Sequence, residues 1–113
     1  MSYQPLRYPE GNDRTHTVAV VIRDPVTQAE TPYDLTGHVI TLIRKLSKDV
    51  PDIAASNITS PGTVVEPPTD GVLTVPFTAE MLTPTGRYWY KINGVASGKT
   101  VTFAYGDLDA VNA

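Results

Sequence analysis

Proline and glycine break this sequence at intervals of about ten residues, and between the breaks lie short runs rich in valine and threonine. Ten prolines and eight glycines are spread along 113 residues, and nowhere does an apolar spacing of 3.6 residues persist long enough for a helix. Valine and threonine fit a pleated, half-buried surface. Short runs of this kind between regular turn signals define an all-β sandwich or barrel. The length suits one domain of roughly 100–150 residues. The expectation from spacing alone is a single all-β domain, sandwich or barrel.

The individual runs give that expectation its faces. In 15–23, Val18, Val20 and Ile22 fall at period two, and Asp24-Pro25 ends the run. The run 38–46 is apolar on both faces at its middle, as in a central strand, with Arg44-Lys45 expected to begin the return to solvent. Residues 47–62 read as irregular, with room for one helical turn at 52–55. Residues 63–66 and 72–77 form a hairpin across Asp70-Gly71, a favoured turn pair. Pro76, opposite in phase to Leu73, Val75 and Phe77, suggests a sheet edge. A last hairpin joins 87–92 to 99–105 across a loop at 93–98. Tyr88, Tyr90 and Ile92 share a face with Val101, Phe103 and Tyr105, while Arg87, Trp89 and Lys91 take the other. The predicted core is Val18, Val20, Ile22, Leu35, Ile40, Leu42, Leu73, Val75, Phe77, Leu82, Tyr88, Tyr90, Ile92, Val101 and Phe103.

Little in the sequence carries chemistry. With no cysteine there is no disulfide, thiolate nucleophile or thiolate metal site. A net charge of −3 argues against a partner held by counterion release, so no nucleic acid is expected. No apolar run reaches the ~20 residues of a membrane helix, and residues 1–7 lack a signal-like stretch. His16 and His38 open two strands without a third ligand at any metal-site spacing. Asp107 and Asp109 lack the rest of a calcium loop. The run 95–100 has the wrong glycine spacing for a phosphate loop, and Asn57-Ile58-Thr59 is a glycosylation pattern that arises often by chance. The expectation is a non-enzymatic protein without cofactor or metal.

Two features point to binding. Residues 2–11 carry Tyr3, Leu6 and Tyr8 among Pro5, Pro9 and Gly11, which predicts an extended N-terminal arm (residues 1–14) needing some other surface to cover it. Folding over its own sandwich or fraying stands here beside docking on a neighbouring subunit, where tyrosines are favoured anchors; a neighbouring chain is the expected cover, ahead of a sandwich spanning 15–108 and a short tail, 109–113. The second feature is Trp89 between Arg87 and Lys91. There, cationic stems over the ring, an interface anchor and a sugar-stacking platform all remain open.

Three segments in order carry a resemblance: Asp34-Leu35-Thr36-Gly37 leading into 38–46, then Asp70-Gly71-Val72-Leu73-Thr74-Val75, then Leu82-Thr83-Pro84-Thr85-Gly86-Arg87-Tyr88-Trp89-Tyr90. The succession resembles small immunoglobulin-like domains of tailed-bacteriophage virions, in baseplate and tail accessory proteins and in head fibres or decoration proteins. It covers about residues 8–108. The resemblance implies a single immunoglobulin-like antiparallel β-sandwich of about seven strands, in which Tyr88 bonds back to the corner before its strand, a device that pins this architecture. It also implies a virion protein made in a bacterial host and acting through contacts with other virion proteins, including copies of itself. A carbohydrate-binding or host-adhesion module is the alternative.

Overall fold

The computed structural model describes residues 2–10 and 13–111. Met1, Gly11, Asn12, Asn112 and Ala113, which fall in the expected arm and tail, lie outside the described residues. In chain order the strands are β1 (Ser2–Tyr3), β2 (Leu6–Pro9), β3 (Arg14–Ala19), β4 (Val21–Arg23), β5 (Glu30–Pro32) and β6 (Val39–Lys45), then β7 (Ile58–Pro61), β8 (Thr63–Val64), β9 (Val72–Phe77), β10 (Gly86–Ala96) and β11 (Lys99–Val111). Two short 3-10 turns, Pro68–Asp70 and Ala79–Leu82, lead into β9 and out of it. The protein is all-β. The large sheet runs β11, β10, β6, β7, with β1 and β2 both laid on the free edge of β11; the small sheet runs β3, β9, β8.

The two sheets pack as a sandwich around side chains supplied at period two. Leu42, Tyr90, Ile92, Ala104 and Leu108 come from the large sheet, and Val18, Leu73, Val75 and Phe77 from the small one. Phe77 meets Tyr90 edge-on with ring centres 5.7 Å apart. Leu35, Met81 and Leu82 enter from the connections and are fully covered. Thirteen of the fifteen predicted core positions are buried, and the two others have identifiable causes.

Ile22 is 53 % exposed because its run does not continue as one strand. Val20 leaves the β3 ladder to give its N–H to Gly71, while its carbonyl accepts from Tyr33. Beyond it, β4 pairs with β5 alone, in a ribbon that stands off the sandwich. Val101 is half-buried, packed at the rim of the core.

The last hairpin is longer and tighter than expected. Its loop is only Ser97-Gly98, with φ of 52° and 76°. Both are left-handed, as a two-residue hairpin turn of the type I′ class demands. The register jumps between Ile92 (opposite Ala104) and Asn93 (opposite Thr102), so β11 carries one extra residue. Such a bulge reverses the alternation beyond it. Phe103 therefore points inward, but so do Ala104, Gly106, Leu108 and Ala110, while Tyr105 turns to the outer face beside Trp89.

Further differences concern polar residues and ends. Arg44 and Lys45 do not return to solvent; each is 5 % exposed. Arg44 lies over the Tyr88 ring at 4.5 Å, and Lys45 pairs with Asp52. Residues 51–57 make two successive turns and no helix, and the supposedly irregular segment ends in β7 on β6. Pro76 sits where β9 has outrun β8, whose pairing stops at Thr63 opposite Thr74. β11 continues through 109–111, where a tail was expected.

The largest departure is the arm. Rather than awaiting a neighbouring chain, it forms β1 and β2, which pair in parallel with β11 of the same molecule, Tyr3 opposite Tyr105 and Leu6 opposite Leu108. The sandwich is therefore mixed and not purely antiparallel. Pro5 falls in the break between the two strands and Pro9 ends the second, so neither interrupts a ladder.

Candidate functional site

The alternation of β10 sends Tyr88, Tyr90 and Ile92 inward and Arg87, Trp89 and Lys91 outward, as the sequence predicts. On the outer face Trp89 is opposite Asp107 on one side and Lys45 on the other. The bulge brings Tyr105 beside it, and parallel pairing of the arm brings Tyr3. Ring centres are 5.8 Å apart for Trp89 and Tyr105, 6.1 Å for Trp89 and Tyr3, and 5.8 Å for Tyr3 and Tyr105. Three aromatic rings, tilted against one another, thus form one cluster on the outer face.

Ion pairs border the cluster. The Arg87 guanidinium donates to Asp109 at 2.9 Å, and Arg7 reaches the same carboxylate at 4.0 Å. The Tyr3 hydroxyl donates to Asp107 at 2.8 Å, which raises the phenol pKa. On the far side Asp52 descends from the 47–57 loop between two ammonium groups, bonded to Lys45 and, at 2.9 Å, to Lys91. The hydrogen bond from Lys45 is the main force holding the Asp52 carboxyl below its ordinary range. Asn57 fixes the loop by donating to the carbonyls of Pro51 and Asp52 at 2.8 and 3.0 Å. Trp89 is therefore flanked by tyrosines, and its neighbouring cations are held by carboxylates.

A groove lies on each side of Trp89. One, of about 380 Å³, runs between Leu46–Asp49 and Arg87, Tyr88 and Asp107. The other, of about 370 Å³, is bounded by Lys45, Lys48, Asp49, Lys91, Thr102 and Tyr105. Both fall in the lower range of small-ligand clefts, ~300–1,000 Å³. The arrangement offers ring edges and faces beside mixed donors and acceptors.

The other predicted arm residues sit elsewhere. Leu6 and Tyr8 are half-buried against the core from its open edge. Tyr8 packs at a tilt against Phe77 with ring centres 5.4 Å apart, and its hydroxyl meets His16 Nδ1 at 3.2 Å. The other histidine nitrogen faces Gln4 Oε1 at 3.5 Å. Together these close the sandwich edge between β2 and β3. His38 belongs to a separate cluster with Tyr33 and Phe103. The structure thus brings Tyr3, Arg87, Trp89 and Lys91 to one face and takes Leu6 and Tyr8 away from it. Sequence reasoning missed Asp52, Tyr105 and Asp107. The alternation of Tyr105, Asp107 and Asp109 along β11 was the available signal for the last two, once the phase is counted from the strand's C-terminal half.

A second surface is the β4–β5 ribbon. Residues 21–32 are all exposed, including Val21, Ile22 and Val26 at 46, 53 and 87 %. Its tip is ordered by Asp24, whose carboxylate accepts the N–H groups of Val26 and Thr27 at 2.8 and 3.1 Å. An ion pair of Arg23 with Glu30 at 3.2 Å braces its strands.

No known family model matches this chain, and no curated protein matches it.

Proposed function

We propose that this protein is a non-enzymatic structural component of a tailed-bacteriophage virion, a tail, baseplate or capsid accessory, working through protein–protein contacts. The observation that carries the proposal is the β4–β5 ribbon. An isolated two-stranded hairpin is marginally stable in water, and this one holds three aliphatic side chains away from its own core. A ribbon so arranged gains most from a partner that covers it. Burying a side chain of this size contributes ~1.5–3 kcal/mol, and repetition on a lattice multiplies weak contacts into firm attachment.

The three-segment resemblance supplies the setting. Two of its segments have a physical counterpart in the structure. The Asp34 carboxylate accepts the N–H of Thr36 at 2.9 Å, folding 34–37 into a compact turn, and the Tyr88 hydroxyl donates to the Pro84 carbonyl at 2.6 Å across the corner before β10. Partners are other virion proteins and further copies of this chain, and the location is the particle itself.

The test is mass spectrometry of particles purified from the bacterial culture whose genome encodes the chain, followed by incorporation of an Ile22→Asp, Val26→Asp variant. The protein should be present in particles and the variant, though folded, excluded. Its absence from purified particles overturns the proposal.

A further inference from the structure

We propose that the free edge of residues 17–23 is a dimer interface, pairing antiparallel with the same edge of a second copy about a two-fold axis at Val20. The first observation is an unfilled ladder. Val20 gives its N–H to Gly71 and its carbonyl accepts from Tyr33, and the Asp24 N–H bonds to Ala29. The even-numbered residues thus bond to β9 and then to β5. The alternation of an antiparallel pair turns the main-chain groups of Thr17, Ala19, Val21 and Arg23 the other way. Among the described residues no strand pairs with them on that side. A cleft of about 510 Å³ lies along this edge from Val18 to Arg23, with Gln4 and Phe103 on its far side.

The second observation is that nothing guards this edge. Exposed edges are ordinarily blunted by shortness, a charged side chain, proline or a covering segment. The other edges of the described sheets follow that rule: β8 has two residues, β7 ends in Pro61, β5 holds Glu30 and Pro32, and β11 begins at Lys99 and carries the arm from Ala104 onward. Residues 17–22 contain no charge, proline or glycine, and Arg23 is held by Glu30 of its own ribbon at 3.2 Å.

Third, the edge complements itself, which selects a second copy as its occupant. With Val20 on the axis, Thr17 faces Arg23 and Ala19 faces Val21 as hydrogen-bonded pairs, so free donors meet free acceptors and no like charges oppose. Val18–Ile22 and Val20–Val20 become the pairs without hydrogen bonds, whose side chains approach most closely. Val18, Val20 and Ile22 recur at period two, yet one chain covers only the first two, at 3 and 8 % exposure, and leaves Ile22 at 53 %. In the dimer Ile22 of each copy lies beside Val18 of the other, and the stripe is complete. The inference rests on the reading of the ribbon as a contact surface and names its partner.

Sedimentation of the purified full chain across a range of concentrations should show a reversible monomer–dimer equilibrium. Val21→Pro removes an N–H that only the second copy uses, and Ile22→Lys sets a charge beside Val18 of the other copy. Each variant, shown folded by circular dichroism, should weaken the dimer at least about tenfold. Disulfide trapping reads the register, since the chain has no cysteine of its own. Val20→Cys lies opposite itself on the axis and should cross-link under mild oxidation. Val21→Cys is displaced from its twin beyond the ~7 Å between Cα atoms that a disulfide can span, and should not. The inference is overturned by a chain that stays monomeric at millimolar concentration, by a folded Val21→Pro that dimerises as tightly as the unmodified chain, or by a Val20→Cys that fails to cross-link. A monomer in solution leaves the particle test standing, and absence from particles leaves the dimer standing.

Discussion

The hydroxyl of Tyr90, fully buried between the sheets, donates a hydrogen bond to the main-chain carbonyl of Gln4 in the arm. Gln4 lies where β1 gives way to β2, and its own N–H bonds to the Tyr105 carbonyl at 2.8 Å. The core thus holds the arm from within while β11 holds it along its length. Burial is the main cause of the raised Tyr90 pKa, so the phenol stays a donor throughout the physiological range. Deleting residues 2–9 uncovers Leu108, Ala110 and the Tyr90 hydroxyl together. The truncated chain should lose cooperative thermal unfolding or melt far below the full chain. An unchanged melting temperature would return the arm to the role of a loose tether.

The same crossing explains Gly106. A Cβ there would lie 2.6 Å from the Gln4 carbonyl oxygen and 2.9 Å from its carbon, both backbone atoms that cannot turn aside. Gly106→Ala should cost about 1–3 kcal/mol, the usual range for overpacking. Hydrogen exchange should localise the loosening to β1, β2 and the facing half of β11.

At the corner before β10, Tyr88→Phe removes the bond to Pro84 but leaves the ring under Arg44. The expected loss is about 1 kcal/mol, read as a shift in the denaturation midpoint with unchanged slope. Pro84 is exposed, so its carbonyl can take water instead, and a much larger loss would mean the corner itself had moved.

How far the sequence disclosed these relationships depended on whether local alternation or distant pairing governed each residue. Leu73, Val75 and Phe77 announce their face because β9 is uninterrupted, and the Tyr88 corner was implied by the resemblance carried by residues 82–90. Counted from Val101, Tyr105 falls on the wrong face, because one extra residue near Phe103 reverses the phase; only the alternation with Asp107 and Asp109 places it. The fate of Tyr3, Leu6 and Tyr8 depended on an edge of β11 about a hundred residues away. Arg44 and Lys45 looked like an exit to solvent because neither the Tyr88 ring over one nor the Asp52 loop over the other is encoded nearby. The outer-face position of Trp89 was legible, whereas the cluster around it required both the bulge and the arm.

Acid should loosen the edge held by His16. Burial lowers its pKa, so the native state favours the neutral imidazole. Below the unfolded value of about 6.5 the unfolded chain binds the extra proton first. Stability is therefore full above that value, falls as the pH drops through it, and levels off below the native pKa. Melting temperatures measured across pH 7 to 5 should fall less steeply for His16→Asn than for the unmodified chain. Parallel slopes would assign the acid sensitivity elsewhere.

Asp52→Asn removes the carboxylate that faces two ammonium groups, one of them on almost fully covered Lys45. Breaking a wholly buried pair costs ~3–5 kcal/mol. The Asp52 side chain is 37 % exposed, so solvent screening reduces that figure, and about 2 kcal/mol is expected. Proteolysis of the native protein should then cut more readily in 47–57. The companion change Lys91→Met, which leaves Lys45 and Asp52 to each other, should be far milder.

The parallel seam between the arm and β11 sets a schedule for biosynthesis. Ser2 finds its partner in Ala104, and at roughly 5–20 residues per second a ribosome takes on the order of 5–20 s to make the intervening chain. During that interval Tyr3, Leu6 and Tyr8 have no strand to join, and β10 has only β6. The large sheet must therefore close late, after the small sheet has all three of its strands. A nascent chain stalled before β11 should expose an apolar arm to chaperones, and a fully translated one should not.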